Sequence, residues 1–483
     1  MPARHPSLLR LAALLLAVVA LAVVAPAGCT REIPGFAGRL TRLSPDTVAG
    51  LPVVDGPSGL RDGVARAVLP VEGGDGGSTD RLAVNAVADL QDYWGERFPA
   101  DFGAAFAPLQ RLVSYDSGGS SQELCGGDTA GLVNAYYCPS EDIIAWDRGE
   151  LLPYLQETFG PMAVVMVLAH ELGHAVQARL DLLGSSTPTI VSEQQADCFT
   201  GAFFRHVAEG GSEHFTLSTG DGLGEVLASV FALRDPVGAV LVDPNAHGTA
   251  FDRVAAFQFG FSDGPNRCAE IDLPEVQERA TELGFKNSGD AANEGNLEIT
   301  EDNVRLIEQS LRSAFADTGA PPPALVFGTA GCPDAAPTSP ASYCPATNSV
   351  SVESDGLAEI GAAPGSGGGG LGDFAAFALV ASRYVLAVQR AVGLPLDDDL
   401  AGLRTACLVG AWAGVLLETP YGNRNPIDDP PLRISSGDLD EAVSELLAGG
   451  LIAGDVDGVA VPSPFARVDA FRIGFLEGPA PCS

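Results

Sequence analysis

The segment AHELGHAVQARL places His170, Glu171 and His174 in the order His-Glu-x-x-His. Six histidines and 62 acidic residues over 483 positions give about 0.01 chance occurrences of that pattern, so it reads as chemistry. The surrounding run PMAVVMVLAHELGHAVQARL, residues 161–180, is apolar nearly all round its first half and predicts a buried helix. Positions i and i+4 share a helix face, which lets His170 and His174 bind one Zn²⁺ together. Glu171 lies about 100° further round, beside the metal site rather than in it. A catalytic zinc wants a third protein ligand and one open position. The next helical pattern, SEQQADCFTGAFF (residues 192–204), sets Glu193 and Asp197 at i and i+4. Glu193 is the natural third ligand, and Asp197 is placed to accept a hydrogen bond from a ligand imidazole. Such acidic pairs are usually a solvated face; here the pair supplies what an otherwise incomplete site requires.

Residues 110–270 resemble the neutral zinc metallopeptidase family, a zincin-like group. The resemblance rests on Cys125-Gly126, the Tyr137-Cys138-Pro139 turn followed by IIAWD, HELGHAVQ, EQQADCFTG, and His247-Gly248-Thr249 before FDRVAAFQFGF. It implies one Zn²⁺ per chain on His170, His174 and Glu193, and peptide-bond hydrolysis by a zinc-activated water with Glu171 as general base. Ala175 departs from the family pattern, which usually has a further His there. IIAWD (143–147) reads equally as an edge strand holding an extended peptide or as an ordinary core strand. The oxyanion needs another donor, and His247 is the first candidate, with Tyr136 and Tyr137 behind it; a structural role for His247 is equally open. His206 and His214 read as surface or helix-end residues, and His5 leaves with the signal segment.

The cysteines reveal a repeat. Setting Cys29 aside leaves two quartets: 125, 138, 198, 268 and 332, 344, 407, 482. AYYCP matches ASYCP, DCFTGAF matches ACLVGAW, LSTGD matches ISSGD, and FDRVAAFQFGFSDGPNRC (251–268) matches FARVDAFRIGFLEGPAPC (465–482) without a gap. The repeat selects the pairs Cys125–Cys138, Cys198–Cys268, Cys332–Cys344 and Cys407–Cys482. The expected organisation is a signal segment (1–29), a flexible Gly/Pro/Asp-rich tether (30–80), a zinc metallopeptidase-like domain (81–280) and a degenerate one (285–483). The second repeat has no histidine: Ser382, Arg383 and Leu386 stand where His170, Glu171 and His174 do, and Gly402 and Ala406 where Glu193 and Asp197 do. It is expected to keep the fold and bind no metal. GSGGGG (365–370) fits a nucleotide-loop pattern only formally, since no strand–turn–helix frames it.

The fold class expected is α+β, two tandem zincin-like domains. Arg4 and Arg10 precede the apolar run LAALLLAVVALAVVA, a segment of signal-peptide length ending in Pro26-Ala27-Gly28-Cys29. That end resembles a bacterial lipobox, with Pro26 where a Leu-like residue usually stands; it predicts a lipid anchor on Cys29 and an extracytoplasmic, membrane-held chain, with simple secretion as the alternative. Outside the cytoplasm disulfides persist. A net charge of -35 argues against nucleic acid and offers no basic patch for anionic lipid. The partner expected is a peptide or protein substrate. The rival class is a silent zinc-containing binding or scaffold lipoprotein, and an amidase acting on cell-wall peptides fits the same residues.

Overall fold

The apolar run before His170 leaves no face for water, and the fold covers it on every side. The computed structural model describes residues 43–238, 246–279, 288, 295–364, 369–417, 432 and 434–482, so the signal segment, Cys29 and most of GSGGGG lie outside the described residues. In chain order the first half holds β1 (Val71–Glu72), α1 (Ser78–Phe102), β2 (Arg111–Tyr115), β3 (Ala135–Cys138), β4 (Ile143–Asp147), α2 (Leu151–Phe159), α3 (Pro161–Leu180), α4 (Thr189–Ala208), α5 (Asp221–Ala232) and α6 (Ala250–Asp263). Helix α3 starts on Pro161, whose fixed φ and missing N–H suit a first turn, and stops at Asp181 in the left-handed region. Its residues 162–168 are all buried, packed among α1, α2, α4 and α5, with β3 alongside.

The sheet runs β1-β2-β4-β3, parallel through β4 and antiparallel at β3. IIAWD is therefore an interior strand, buried at all five positions, and AYYC is an edge strand. The reason is compositional: IIAWD has no polar face to give to water, whereas Tyr136 and Tyr137 tolerate partial exposure. Residues 43–80 also differ from the tether expected of them. Thr47–Val48 pairs with Leu51–Pro52, Gly59–Leu60 pairs with Phe215–Thr216, and Val48 is buried. Two-residue strands carry no legible periodicity, and their anchors come from distant sequence: Arg61 Nε donates to the carbonyls of Ser212 and Phe215.

The second half repeats the order with α7 (Glu301–Ala314), β5 (Ala324–Phe327), β6 (Ala341–Cys344), β7 (Ser349–Val352), α8 (Asp373–Ala391), α9 (Ala401–Leu416), α10 (Asp438–Ala448) and α11 (Pro464–Glu477). Strand β7 lies between parallel β5 and antiparallel β6, as β4 lies between β2 and β3. Helix α8 is the one helix among the described residues long and apolar enough to cross a membrane, and it is buried in this half. Disulfides join Cys125 to Cys138, Cys198 to Cys268, Cys332 to Cys344 and Cys407 to Cys482.

In each half one helix pair crosses with backbone directly on backbone. A Cβ on Gly201 of α4 would fall 1.9 Å from the Phe257 carbonyl oxygen of α6, and one on Gly260 of α6 would fall 1.7 Å from the Cys198 carbonyl oxygen. In the α9–α11 pair, Gly410 and Gly474 stand 1.9 and 1.8 Å from the Phe471 and Cys407 carbonyl oxygens by the same measure. A continuous hydrophobic core joins the halves, so the two repeats do not form separate cores. The seam pairs α6 with α10 and α5 with α11, the exchange pattern of an isologous contact. Across it Phe251 meets Phe475 edge-on at 5.0 Å, and Asp440 Oδ1 accepts the Phe251 N–H at 3.0 Å. Gly260→Val should therefore destabilise the protein by about 3 kcal/mol or more, because two backbones must part. Urea denaturation of the purified variant measures this; an unchanged midpoint would show that the crossing is not close.

Candidate metal centre

Helix α3 supplies His170, Glu171 and His174, and α4 supplies Glu193 and Asp197. Gly173 lets the helices approach: a Cβ there would stand 3.0 Å from both the Cα and the carbonyl oxygen of Ala196. His170 Nε2 lies 3.0 Å from Glu193 Oε2, and His174 Nε2 lies 3.5 Å from Glu193 Oε1. The other ring nitrogens turn away, His170 Nδ1 to Asp197 Oδ1 at 2.8 Å and His174 Nδ1 to Gln177 Oε1 at 2.9 Å. An acceptor at each Nδ1 holds a proton there and turns both Nε2 atoms onto one carboxylate, the way outer partners orient metal-binding histidines.

These residues fit zinc. Their ligand atoms all lie within 4.8 Å of one another. Two ligand atoms on one tetrahedral zinc would be roughly 3.3 Å apart, close to the two spacings observed. His170 and Glu193 are buried, while His174 and Glu171 are partly exposed, so the trio has a closed back and an accessible front.

Charges are set by the same contacts. Burial opposes the charged form of His170, yet Asp197 and Glu193 outweigh it and push its pKa up to about 10. Glu193 is also penalised by burial, but hydrogen bonds from His170 and His174 hold it well below the usual carboxylate range. Asp197 is held down too, its burial offset chiefly by Arg253 and then His170. Glu171 moves the other way: burial raises it, with His170 and His174 pulling against that.

Two contributors escaped the sequence reading. Arg253 of α6 makes a two-pronged pair with Asp197, Nε to Oδ2 and Nη2 to Oδ1, each 2.8 Å. The only signal for it was the Phe-x-Arg-Val pattern shared by 251–254 and 465–468. The second is a backbone group: Tyr137 on edge strand β3 donates its N–H to Glu171 Oε2 at 2.8 Å. The tyrosine side chains are engaged elsewhere. The Tyr137 hydroxyl donates to Asp142, and Tyr136 packs with Val113 and Tyr115 in a separate small cluster. Exposed His247 bonds to Asp235 through its N–H (2.7 Å) and Nδ1 (3.3 Å) rather than to the ligand trio. His214, expected at the surface, is buried on Asp89, and half-buried His206 packs against Tyr93.

The second half fills the equivalent space with protein. Arg383 is fully buried and donates to the carbonyls of Asp455 (2.7 Å), Leu451 (2.9 Å) and Gly454 (3.0 Å). A Cβ on Gly402, the counterpart of Glu193, would fall 2.3 Å from the Ala453 carbonyl oxygen. Segment 451–455 therefore occupies the ground a ligand side chain would need.

Residues 70–271 match the model of the family described as "Putative neutral zinc metallopeptidase". That span contains every residue of the centre and stops before the second half. The chain is also 26% identical to "Uncharacterized protein Mb2605" of Mycobacterium bovis and to "Uncharacterized protein Rv2575" of Mycobacterium tuberculosis, over 29% of this chain and 56% of each of theirs. The match thus spans about half the length of these relatives. No solved structure matches significantly.

Because Asp197 orients His170 without being a ligand, Asp197→Asn should weaken zinc binding by about 10–100-fold, whereas His170→Ala or His174→Ala should abolish it. Competition with a chromophoric chelator reads both; equal zinc affinity in wild type and Asp197→Asn would remove Asp197 from this role.

Proposed function

We propose that this chain is an exported zinc-dependent metallopeptidase whose first half cleaves peptide bonds and whose second half is a degenerate copy of the same fold. The carrying observation is the convergence of two oriented imidazole Nε2 atoms on the Glu193 carboxylate, beside a Glu171 held by the Tyr137 N–H. The family match over 70–271 supports the same reading. His170, His174 and Glu193 would hold the ion. When bound, zinc supplies Lewis acidity for the scissile carbonyl and makes water a usable nucleophile at neutral pH.

The chain's own groups do the rest. Tyr137 holds one oxygen of Glu171, so the carboxylate presents a fixed face to the water whose proton it takes and then returns to the leaving amine. Arg253 keeps Asp197 ionised, and Asp197 keeps the His170 proton on Nδ1. An extended substrate would lie along β3, the outer strand of the sheet, whose main chain already touches the base. The signal segment and Cys29 imply that the work is done outside the cytoplasm, on a membrane anchor or after secretion. The amidase reading shares these groups and differs only in substrate. The scaffold reading keeps zinc and loses the chemistry.

Glu171→Gln separates these. It should retain about one zinc per chain and lose hydrolysis of an unfolded protein substrate by about 10²–10⁴-fold, the usual reach of a positioned base. Zinc analysis beside a fluorescent-casein assay gives both readouts. Equal inertness of wild type and variant towards a broad peptide library would favour the scaffold.

A further inference from the structure

Residues 60–66, part of the expected tether, build a cavity with α1 and His214. It encloses about 220 Å³ and contains no residue of the zinc centre. Arg61 and Arg66 line it from the segment, Arg81 from the first turn of α1 and Asn85 from the second. Three cations at one cavity stand out in a chain of net charge -35. They are also the cations that lack a carboxylate. Every other arginine described between residues 43 and 279 forms an ion pair, whereas Arg61, Arg66 and Arg81 form none among the described residues. Neutral groups hold two of them in place. Arg61 Nε donates to the Ser212 and Phe215 carbonyls at 3.2 and 2.7 Å, and Arg81 Nη1 donates to the Gly76 carbonyl. Such bonds fix a guanidinium without neutralising it.

Asn85 points to a ligand independently. Its side chain is buried, at 5% exposure, and its Oδ1 accepts the Ala67 N–H at 2.9 Å, which sets the orientation of the amide. Nδ2 is thereby left to the cavity, with no hydrogen-bond partner among the described residues. A buried donor left open is costly unless something accepts from it. Two buried carboxylates in the neighbourhood are engaged elsewhere and do not line the cavity. Asp80 accepts from Ser114, Trp146 and the Asp75 N–H, and Asp89 accepts from Ser212 and His214. Helix α7, which opens the second half, has Glu301 and Asp302 in its first turn, so the cationic arrangement belongs to the first half.

The donor set selects the anion. Guanidinium forks match the oxygens of carboxylate and phosphate alike. Three guanidiniums and an amide outnumber the two oxygens of a carboxylate, and they suit the three or four of a phosphate. The volume exceeds that of a bare phosphate, and Leu60, Val64 and Leu82 supply an apolar wall. We propose that this cavity binds a phosphate group through Arg61, Arg66, Arg81 and the Asn85 amide, with the apolar wall taking the carbon stem that carries it. A phospholipid headgroup and a soluble phosphate ester share that chemistry. The net charge conceals the site, because the pairing of Gly59–Leu60 with Phe215–Thr216 brings the arginines to α1 rather than adjacency in sequence.

The test uses the full mature chain, zinc-loaded and carrying Cys29→Ser so that no anchor holds it on a membrane. Calorimetric titration with inorganic phosphate at constant ionic strength should show saturable uptake, and saturating phosphate should raise Tm. Arg66→Gln and Arg81→Gln should each weaken phosphate binding by about tenfold or more, the reach of one charged hydrogen bond. Zinc content and casein hydrolysis should stay as in the parent chain, with circular dichroism showing that both variants fold, so the outcome is separate from that of Glu171→Gln. Cosedimentation with phosphatidylcholine vesicles, with and without phosphatidylglycerol, distinguishes the sources. Recruitment by phosphatidylglycerol that both variants lose assigns a lipid headgroup; phosphate binding without recruitment assigns a soluble ester. No phosphate uptake by the parent chain at millimolar concentration overturns the proposal. Uptake that both variants retain unchanged overturns it as well, placing phosphate elsewhere, the zinc included.

Discussion

The structure depends on two helices being allowed to touch backbone to backbone. Gly201 lies on the Phe257 carbonyl and Gly260 on the Cys198 carbonyl, and the Cys198–Cys268 disulfide closes over the same crossing. Asp197 is the residue before Cys198, and Arg253 is one turn before Phe257, so the crossing also fixes how far apart they stand. At the observed spacing their two-pronged pair forms at 2.8 Å. A side chain at either glycine would lift α6 off α4 and take the guanidinium with it. Asp197 would then be a buried carboxylate without its cation, the costly half of a broken pair. The orientation of His170 thus rests on two missing side chains a turn away.

The second half separates what the crossing does from what the side chains do. Gly410 and Gly474 reproduce the contact nearly to the tenth of an ångström, and Cys407–Cys482 closes it. Yet Ala406 replaces the aspartate, so Arg467 has no counterpart of the Arg253 pair, and burial pulls its pKa down against the attraction of Glu445. Arg383 loses some basicity to burial as well, to about 10, but three carbonyls receive it. Restoring histidines at 382 and 386 would not restore a site, because Gly402 has no room for a ligand side chain. The space a ligand side chain would need is closed by the backbone of segment 451–455, not only by the substitutions.

What the sequence disclosed follows the range of the interactions. His170, His174, Glu193 and Asp197 were legible because each pair is i, i+4 on one helix, and the helices announce themselves by pattern. The cysteine pairs were legible because the repeat supplied a second instance of each spacing. The Tyr137 N–H was not, since every residue but proline has one and only topology decides where it points. Nor was the choice between edge and interior for IIAWD, which the residues left open, because strand order is a long-range property that local composition only hints at. Residues 43–80 were misread for a related reason: strands of two residues are recognisable only by their partners.

The seam also shows how the second half bears on the residues of the centre. Helix α6 carries Arg253 on the side facing α4 and Phe251 and Gln258 on the side facing the second half. Phe475 and Phe471 pack on Phe251, Arg472 donates to Gln258 Oε1 at 3.0 Å, and the Phe465 carbonyl accepts from the Gln258 amide at 3.1 Å. Without that wall, α6 would expose an aromatic face and hold Arg253 only from the front. Rigid support behind an orienting residue is what keeps a ligand imidazole at its angle. The second half thus meets the centre through α6, and its contribution there requires its fold and surface, not a zinc ligand of its own.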